Sequence, residues 1–476
     1  MAAGGVGAVF AATPAMAQWV SFADETATRL QVSTVGINDA EEKDTSIGDF
    51  NNDGWMDVIA VRKRPFSVMG PRSDVLFMNE QGTLVDRTTE LAPEFLTVLT
   101  DARDVFVGDM DNDGWDDLII VSTFNVQPQY YENLGNDSNG QWRGFENQSA
   151  NRFPNVTVFP LQFCAGWAGD VDGNGWKDFY FVNYNPNGMV KDVLFMNTGN
   201  GFFVDETQAR MGDLRNSAFG TGVELRDIDN DGDVDIVKTS TLFGVPPWNT
   251  NGIFPLFNDG TGNFNWTGMT LGGGNPYMFT VVDFNGDGKR DIYAEKDSQD
   301  VVYTAGAITP DVNIAYSQNS VNSSRTTGFG GNTKAADVDG DGDLDVGVGP
   351  IDVDIANCGG SGKFSLMRNS NGTLTDPFGA NTNINIQPHD FDFVDVDNDG
   401  CLDIFMGLCT GWRVFIQTSP GCGVQAPPAD LNGDGVVNGA DLAILLIGWG
   451  GNGAGDLNND GIINGADLAT LLTNWG

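Results

Sequence analysis

Short apolar runs alternate along this chain with clusters of acid, asparagine and glycine, and the clusters repeat. Seven times the order is Asp-x-Asp/Asn-x-Asp/Asn-Gly-x-x-Asp, followed at once by an apolar run. The copies are DFNNDGWMDVIAV from Asp49, DMDNDGWDDLIIV from Asp109, DVDGNGWKDFYFV from Asp170 and DIDNDGDVDIVKT from Asp227. DFNGDGKRDIYAE from Asp283, DVDGDGDLDVGVG from Asp337 and DVDNDGCLDIFMG from Asp395 complete the set. The runs are rich in β-branched and aromatic residues, which suit strands, so each cluster reads as the turn of a β-hairpin. Midway between clusters stand VLFMNEQGTLVDRT from Val75, VLFMNTGNGFFVDET from Val193, PLFNDGTGNFNWT from Pro255 and SLMRNSNGTLTDP from Ser365. These read as a second hairpin about an Asn/Gly turn. Two hairpins per period make a four-stranded unit.

The first aspartates are 60, 61, 57, 56, 54 and 58 residues apart. Four-stranded units repeated at this period hide their edges by closing into a ring, so the expected fold is mainly β, a seven-bladed β-propeller. Seven periods of about 58 residues need about 404, and the stretch 19–419 supplies 401. Trp19 to Thr26 resembles the outer strand at Phe202 to Thr207, and the last unit has a third strand at Arg413 to Gln417 but no fourth. The N-terminal strand is therefore expected to fill that place and lock the ring. A proline-containing linker, 420–429, then leads to a small module at 430–476.

The loops have the chemistry of a calcium site. Calcium takes six to eight oxygens, and alternate positions 1, 3 and 5 of a tight loop can face one ion. Glycine at position 6 allows the backbone to bring round the carbonyl of position 7 and the carboxylate of position 9. The expected ligands are Asp49, Asn51, Asp53 and Asp57; Asp109, Asp111, Asp113 and Asp117; and Asp170, Asp172, Asn174 and Asp178. They continue with Asp227, Asp229, Asp231 and Asp235; Asp283, Asn285, Asp287 and Asp291; Asp337, Asp339, Asp341 and Asp345; and Asp395, Asp397, Asp399 and Asp403. Asn174 in place of an acid should weaken the third site. The loops, with the LFMN-x-x-G-x-x-x-D-x-T segments, resemble the FG-GAP/VCBS repeat family, whose propeller is also found in integrin α-subunit heads. The resemblance implies that bound metal serves the scaffold.

The C-terminal module repeats a different spacing. DLNGDGVVNGADLAILLIGWG from Asp430 and DLNNDGIINGADLATLLTNWG from Asp456 place Asp, Asn, Asp, Gly, Asn and Asp at positions 1, 3, 5, 6, 9 and 12. That is an EF-hand-type loop with Asp at position 12. The expected ligands are Asp430, Asn432, Asp434, Asn438 and Asp441, then Asp456, Asn458, Asp460, Asn464 and Asp467. Helices are expected at Asp441 and Asp467, their apolar face carried by Leu442, Leu445 and Leu446 and by Leu468, Leu471 and Leu472. So small a module needs metal to hold it. The tandem resembles dockerin, the calcium-dependent plug that anchors extracellular proteins to cohesin partners. Gly439-Ala440 and Gly465-Ala466 stand where cellulosomal dockerins commonly have Ser-Thr, and the usual basic pair of the helix is missing. These departures argue against a cellulosomal cohesin. Trp449 and Trp475 either form a docking surface or cap the module's own core.

Composition narrows the function. The net charge of −41, from 65 acids against 24 bases, excludes nucleic acid and anionic membrane as natural partners. Nine calcium ions would bring it to −23. No apolar stretch is long enough to span a membrane. Residues 1–18 resemble a secretion signal, with Ala15-Met16-Ala17 as a cleavage site, which points outside the cell; the alternative is a retained, ordered N-terminal segment. Five cysteines (Cys164, Cys358, Cys401, Cys409 and Cys422) leave at least one unpaired within the chain. The sole histidine, His389, has no catalytic partner motif, and no triad, zinc or phosphate-loop signature is present, so an enzyme is not expected. The remaining classes are a binding or display scaffold anchored by its tail, a subunit that docks head to tail on its own kind, and a glycan-binding lectin using Trp167, Trp248 and Trp412, rings that more often pack between blades; an accessory part of a polysaccharide-degrading enzyme ranks below these.

Overall fold

The computed structural model describes residues 19–475 apart from 65–69, 159, 186–187, 298, 324–331, 351–362, 376–383, 385, 420–421, 423–428, 430, 432–436, 452–454, 456 and 458–461. Seven antiparallel sheets follow one another along the chain, each built outward from an inner strand. The inner strands are Glu42–Gly48, Ala102–Gly108, Phe163–Gly169, Val223–Arg226, Pro276–Val282, Thr333–Ala336 and Pro388–Val394. We number the blades 1 to 7 in that order. Glu42–Gly48 also lies against Pro388–Val394, so the ring closes between blades 7 and 1. In blade 1, Asp57–Lys63, Val75–Asn79 and Leu84–Asp86 complete the run of antiparallel strands, and Leu30–Gln31 adds a parallel edge. In blade 7, Phe22–Asp24 pairs with Gly411–Gln417, Phe22 opposite Gln417. The strand that closes the last sheet therefore comes from the start of the described chain. The sequence did not announce the short helix Thr26–Arg29 that follows it.

The core sits between blades. The second strand of blade 1, Asp57–Lys63, is buried at all seven positions because another blade covers each face. Phe50, Ile59, Val61 and Leu76 of blade 1 pack on Val105, Leu118, Ile120 and Tyr131 of blade 2, and each later junction repeats the pattern. Val58, Val75 and Phe77 meet Phe405, Trp412 and Val414 at the closing junction. A buried side chain of this size contributes about 1.5–3 kcal/mol, so apolar contact dominates cohesion.

Polar links set the angle at which blades meet. Asn79, Asn133, Asn197, Asn258 and Asn369 end the third strands of blades 1, 2, 3, 4 and 6, and each is at most 2% exposed. Asn133 Nδ2 donates to the Phe50 carbonyl in blade 1, and Asn197 Nδ2 to the Met110 carbonyl in blade 2, at 2.9 and 2.8 Å. Asn258 reaches Val171, Asn369 reaches Phe284 and Asn79 reaches Val396 in the same way. In every case the acceptor is position 2 of the acidic loop in the preceding blade.

Two helices, Gly439–Ile447 and Gly465–Thr473, follow the ring. Each begins two residues before the expected start because Asn438 and Asn464 are N-caps, with Asp441 and Asp467 completing capping boxes. Val437, Leu445, Ile463 and Leu471 pack between them. Residues 1–18 and the linker segment 423–428 lie outside the described residues.

Asn197→Ala should lower stability by about 2–3 kcal/mol, since it leaves the Met110 and Lys177 carbonyls buried without a donor. Chemical denaturation measures this; an unchanged midpoint would remove the latch from the account.

Candidate functional site

Each acidic loop joins the inner strand of its blade to the second strand, so all seven gather at one end of the ring. Their backbone geometry is uniform. The position-6 glycines, Gly54, Gly114, Gly175, Gly232, Gly288, Gly342 and Gly400, have φ between 81° and 101°. Position 4 also turns left-handed, with φ between 55° and 71° at Asn52, Asn112, Gly173, Asn230, Gly286, Gly340 and Asn398. That explains why only Asn and Gly stand there, a requirement the sequence reading passed over. Asn112 and Asn230 then donate to the position-6 carbonyls Gly175 and Gly288 of the next blade, at 2.9 and 2.7 Å, so neighbouring loops touch.

Within a loop the carboxylates are placed by backbone N–H groups. Asp109 accepts from the amides of positions 5 and 6, Asp113 and Gly114, and the first aspartate of every loop does the same. The position-9 aspartates are buried and accept from position 2 of their loop and from the end of the third strand. For Asp57 the donors are Phe50 and Asn79, at 3.0 and 2.7 Å. Burial pushes Asp57 and Asp235 up to about 8, and Asp117, Asp178, Asp345 and Asp403 up to about 7.

Positions 1, 3 and 9 converge. Oxygens of Asp109, Asp111 and Asp117 lie within 4.8 Å of one another, as do those of Asp170, Asp172 and Asp178, of Asp227, Asp229 and Asp235, and of Asp337, Asp339 and Asp345. Position 5 stays outside these trios, its carboxylate turned to the amide of position 7, as Asp113 does to Trp115 at 2.9 Å. Asn174 does likewise with Trp176. Asn51 and Asn285 spend their oxygens on the amides of Asp53 and Asp287. The sharpest feature is at position 3: Oδ1 of Asp111, Asp172, Asp229, Asp339 and Asp397 is buried without a hydrogen-bond partner. An unsatisfied carboxylate oxygen beside two more carboxylates is costly unless a cation completes it. The residues present could hold a hard divalent ion through oxygen alone.

The partners of these acids were missed by sequence reading. Arg152 meets Asp111 at 3.3 Å, Arg210 meets Asp172 at 3.5 Å, Arg368 meets Asp339 at 2.9 Å and Arg29 meets Asp397 at 3.1 Å. Three of them stand five residues after the first residue of D/N-x-S/T segments that follow outer strands, the only signal they leave. In the C-terminal module, Asp430, Asn432, Asp434, Asp456, Asn458 and Asp460 lie outside the described residues. Asn438, Asp441, Asn464 and Asp467 are engaged in helix capping.

A second polar region is the axial cavity, about 470 Å³, lined by Asp44, Asp104, Glu224, Lys334 and Asp392 from five inner strands. Lys334 Nζ bonds Asp390 and Asp392 at 3.1 and 2.5 Å, and Asp104 accepts from the Gly166 amide at 2.8 Å. Burial pushes Asp104 and Glu224 up to about 7. His389 is 1% exposed in the inner strand of blade 7, and burial holds its imidazole well below the usual range, so it is neutral. Of the aromatics that a lectin would need on an open face, Trp248 and Trp412 are buried (1% and 0% exposed), and Trp167 is half-buried at the cavity wall under Arg226. Size decides this: large rings fill the space between blades, so these two cannot stack on a glycan.

Residues 49–120 and 170–237 match the FG-GAP-like repeat model, and the chain carries these repeats in a seven-bladed β-propeller. Cartilage acidic protein 1 of Xenopus tropicalis is 26% identical over 272 residues, 52% of this chain and 39% of that protein. The chain thus spans about two fifths of the length of this curated relative. Among solved structures, an Agrocybe aegerita lectin that recognises non-reducing terminal N-acetylglucosamine is similar at 17% identity and a TM-score of 0.44, over 78% of this chain and 85% of that one. The rhamnogalacturonan lyase of Bacillus licheniformis is similar at 12% identity and a TM-score of 0.40, over 83% and 75%.

The axial acids predict a pH effect. A carboxyl whose folded pKa is raised stabilises the fold at low pH, and that contribution is lost as pH climbs from its unfolded value, about 4, to its folded value. Asp104→Asn keeps an acceptor for Gly166 and should raise the melting temperature at pH 8 by about 3 °C, with little gain at pH 4. A gain of equal size at both values would place the effect elsewhere.

Proposed function

We propose that this protein is an extracellular, calcium-stabilised propeller that serves as a binding and display scaffold, fixed in place by its C-terminal module. The observation that carries the reading is the buried, unpartnered position-3 oxygen in five of the seven loops. Calcium there would be structural: it would neutralise the convergent acids and hold each turn. Under the same reading the strand Phe22–Asp24 acts as the closing strap of the ring. A disulfide between Cys401, at position 7 of the seventh loop, and Cys422 favours an oxidising compartment. Cys409 is also disulfide-bonded, and Cys164 is a buried thiol. No helix among the described residues is long and apolar enough to cross a membrane.

The tail is read as a dockerin-like plug with two calcium loops. Leu446, Ile447, Trp449, Leu472 and Trp475 are 51%, 86%, 48%, 53% and 46% exposed, an apolar surface that suits protein contact. The partner is a cohesin-like protein or a second copy of this chain; in the latter case head-to-tail docking builds a fibre or coat. A lectin reading draws support from a cleft of about 930 Å³ between blades 1 and 2, where Trp55 and Trp142 stand beside Glu80, Gln81 and Arg87. With no nucleophile–base pair assembled among the described residues, catalysis is not part of the proposal.

Two sites filled at a hundredfold excess of calcium contribute about 5 kcal/mol, so chelation should lower the melting temperature by at least about 5 °C. An unchanged melting temperature in chelator would refute the calcium reading. Solution mass in calcium separates the partners. If the chain forms large assemblies that Ile447→Glu disperses, the tail docks on its own kind. A monomer in both cases assigns the tail to another protein.

A further inference from the structure

Six of the seven blade junctions use one device, a side-chain amide that donates to position 2 of the preceding loop. Asparagine supplies it five times. Gln417 supplies it between blades 7 and 6, with its amide nitrogen turned to the Leu402 and Val338 carbonyls at 2.8 and 3.2 Å. Blade 5 breaks the series. The residue whose N–H meets the position-9 aspartate Asp291 is Ala305, which has no amide to reach blade 4. Blade 5 instead has a long outer hairpin, Val301–Thr309 and Asn313–Ser320. Its turn brings Asp311, at φ 58°, onto the loop of blade 4. There the Asp311 N–H donates to Asp229 Oδ2 at 2.7 Å. A carboxylate oxygen of Asp311 lies within 4.8 Å of oxygens of both Asp229 and Asp231.

The charge at this junction is the reverse of its siblings. Where position 3 is an aspartate in blades 2, 3, 6 and 7, an arginine meets it. In blade 4 the approaching side chain is an acid. Among the described residues no ion pair reaches Asp227, Asp229, Asp231, Asp235 or Asp311. Asp229 is 1% exposed and its Oδ1 has no hydrogen-bond partner. Two carboxylates about 4 Å apart near a protein surface repel by about 4 kcal/mol, and here at least three gather. An arrangement of this kind holds together only around a cation, and its donors are all hard oxygens.

We propose that Asp311 supplies a carboxylate oxygen from blade 5 to a calcium ion held by the Asp227–Asp235 loop of blade 4, so that the ion clamps the junction whose latch residue is Ala305. The inference rests on the calcium reading of the loops and adds to it a ligand from outside the repeat motif. Because that ligand belongs to another blade, metal binding and blade contact are coupled here: losing the ion frees the hairpin tip. In three of the loops closed by arginine the tie to the next blade runs through the guanidinium instead, as Arg210 joins Asp172 to the Thr261 carbonyl.

The test compares the full-length chain with Asp311→Asn and Asp227→Asn, each stripped of metal and titrated with calcium alone. Native mass spectrometry counts retained ions, and hydrogen exchange follows residues 301–320. Asp311→Asn keeps the backbone bond to Asp229, and position 311 is exposed, so the fold survives. Both variants should retain one ion fewer than wild type at a calcium concentration that fills the other sites, with affinity at that site down at least tenfold. Calcium should slow exchange in 301–320 of wild type and not in either variant. If Asp227→Asn loses the ion while Asp311→Asn matches wild type in ion count and exchange, Asp311 is not a ligand, and the calcium reading of the loops stands. If wild type takes up no calcium, both fall together.

Discussion

The structure turns on one buried carboxylate per blade, the aspartate at position 9 of each loop. Its two oxygens are committed in the same way around the ring: one accepts the position-2 amide of its own loop, the other the amide at the end of the third strand. Asp57, Asp117, Asp178, Asp235, Asp345 and Asp403 follow the rule, and Asp291 differs in that its second donor, Ala305, lies within the strand Val301–Thr309. Because the carboxylate begins the second strand, it fixes three segments at once: loop, second strand and third strand. The third strand's asparagine then carries the fixed geometry into the preceding blade. Replacing such an acid by an apolar residue would leave two buried amides without acceptors, about 1–3 kcal/mol each, at the point where a blade's register is set.

That dependence explains how much could be read in advance. The seven turns were legible because left-handed backbone at position 6 calls for Gly, and convergent acids need short residues at fixed spacing. Strand positions were legible where both faces are buried, as in Asp57–Lys63, Val75–Asn79 and Val193–Asn197. The outer hairpins of blades 2 and 5 escaped notice: Gln129–Asn133 lacks the LFMN pattern, and Val301–Thr309 lacks its asparagine. The latch asparagines were in plain view, yet their acceptors lie 83 to 87 residues upstream, or 317 downstream across the closure. A local pattern cannot name such a partner. Asp311 was harder still, since it stands in a hairpin tip with no motif around it and meets Asp229 across 82 residues. Trp248 and Trp412 could be read as packed or open, and ring size decided for packing.

The acid surplus is handled differently in two places. In the axial cavity the carboxylates face one another across inner strands, and neutralisation is internal. Lys334 bridges Asp390 and Asp392, Arg226 holds Glu224 at 3.2 Å, and Asp104 binds a proton more tightly than usual. On the loop face four arginines, three of them from outer segments, approach position 3, but each leaves one carboxylate oxygen bare. Asp390 Oδ1 and Asp392 Oδ2 are nonetheless buried without a hydrogen-bond partner, so bare carboxylate oxygens occur in both regions. A ring that needed only neutral turns could have placed asparagine at position 3 throughout, as it does at Asn51 and Asn285, whose oxygens are satisfied within the loop. The other five keep aspartate with one oxygen buried and unpartnered, the feature on which the calcium proposal rests. The two regions differ in what stands opposite those oxygens: Lys334 and Arg226 reach the cavity acids, whereas further carboxylates converge on those of the loops.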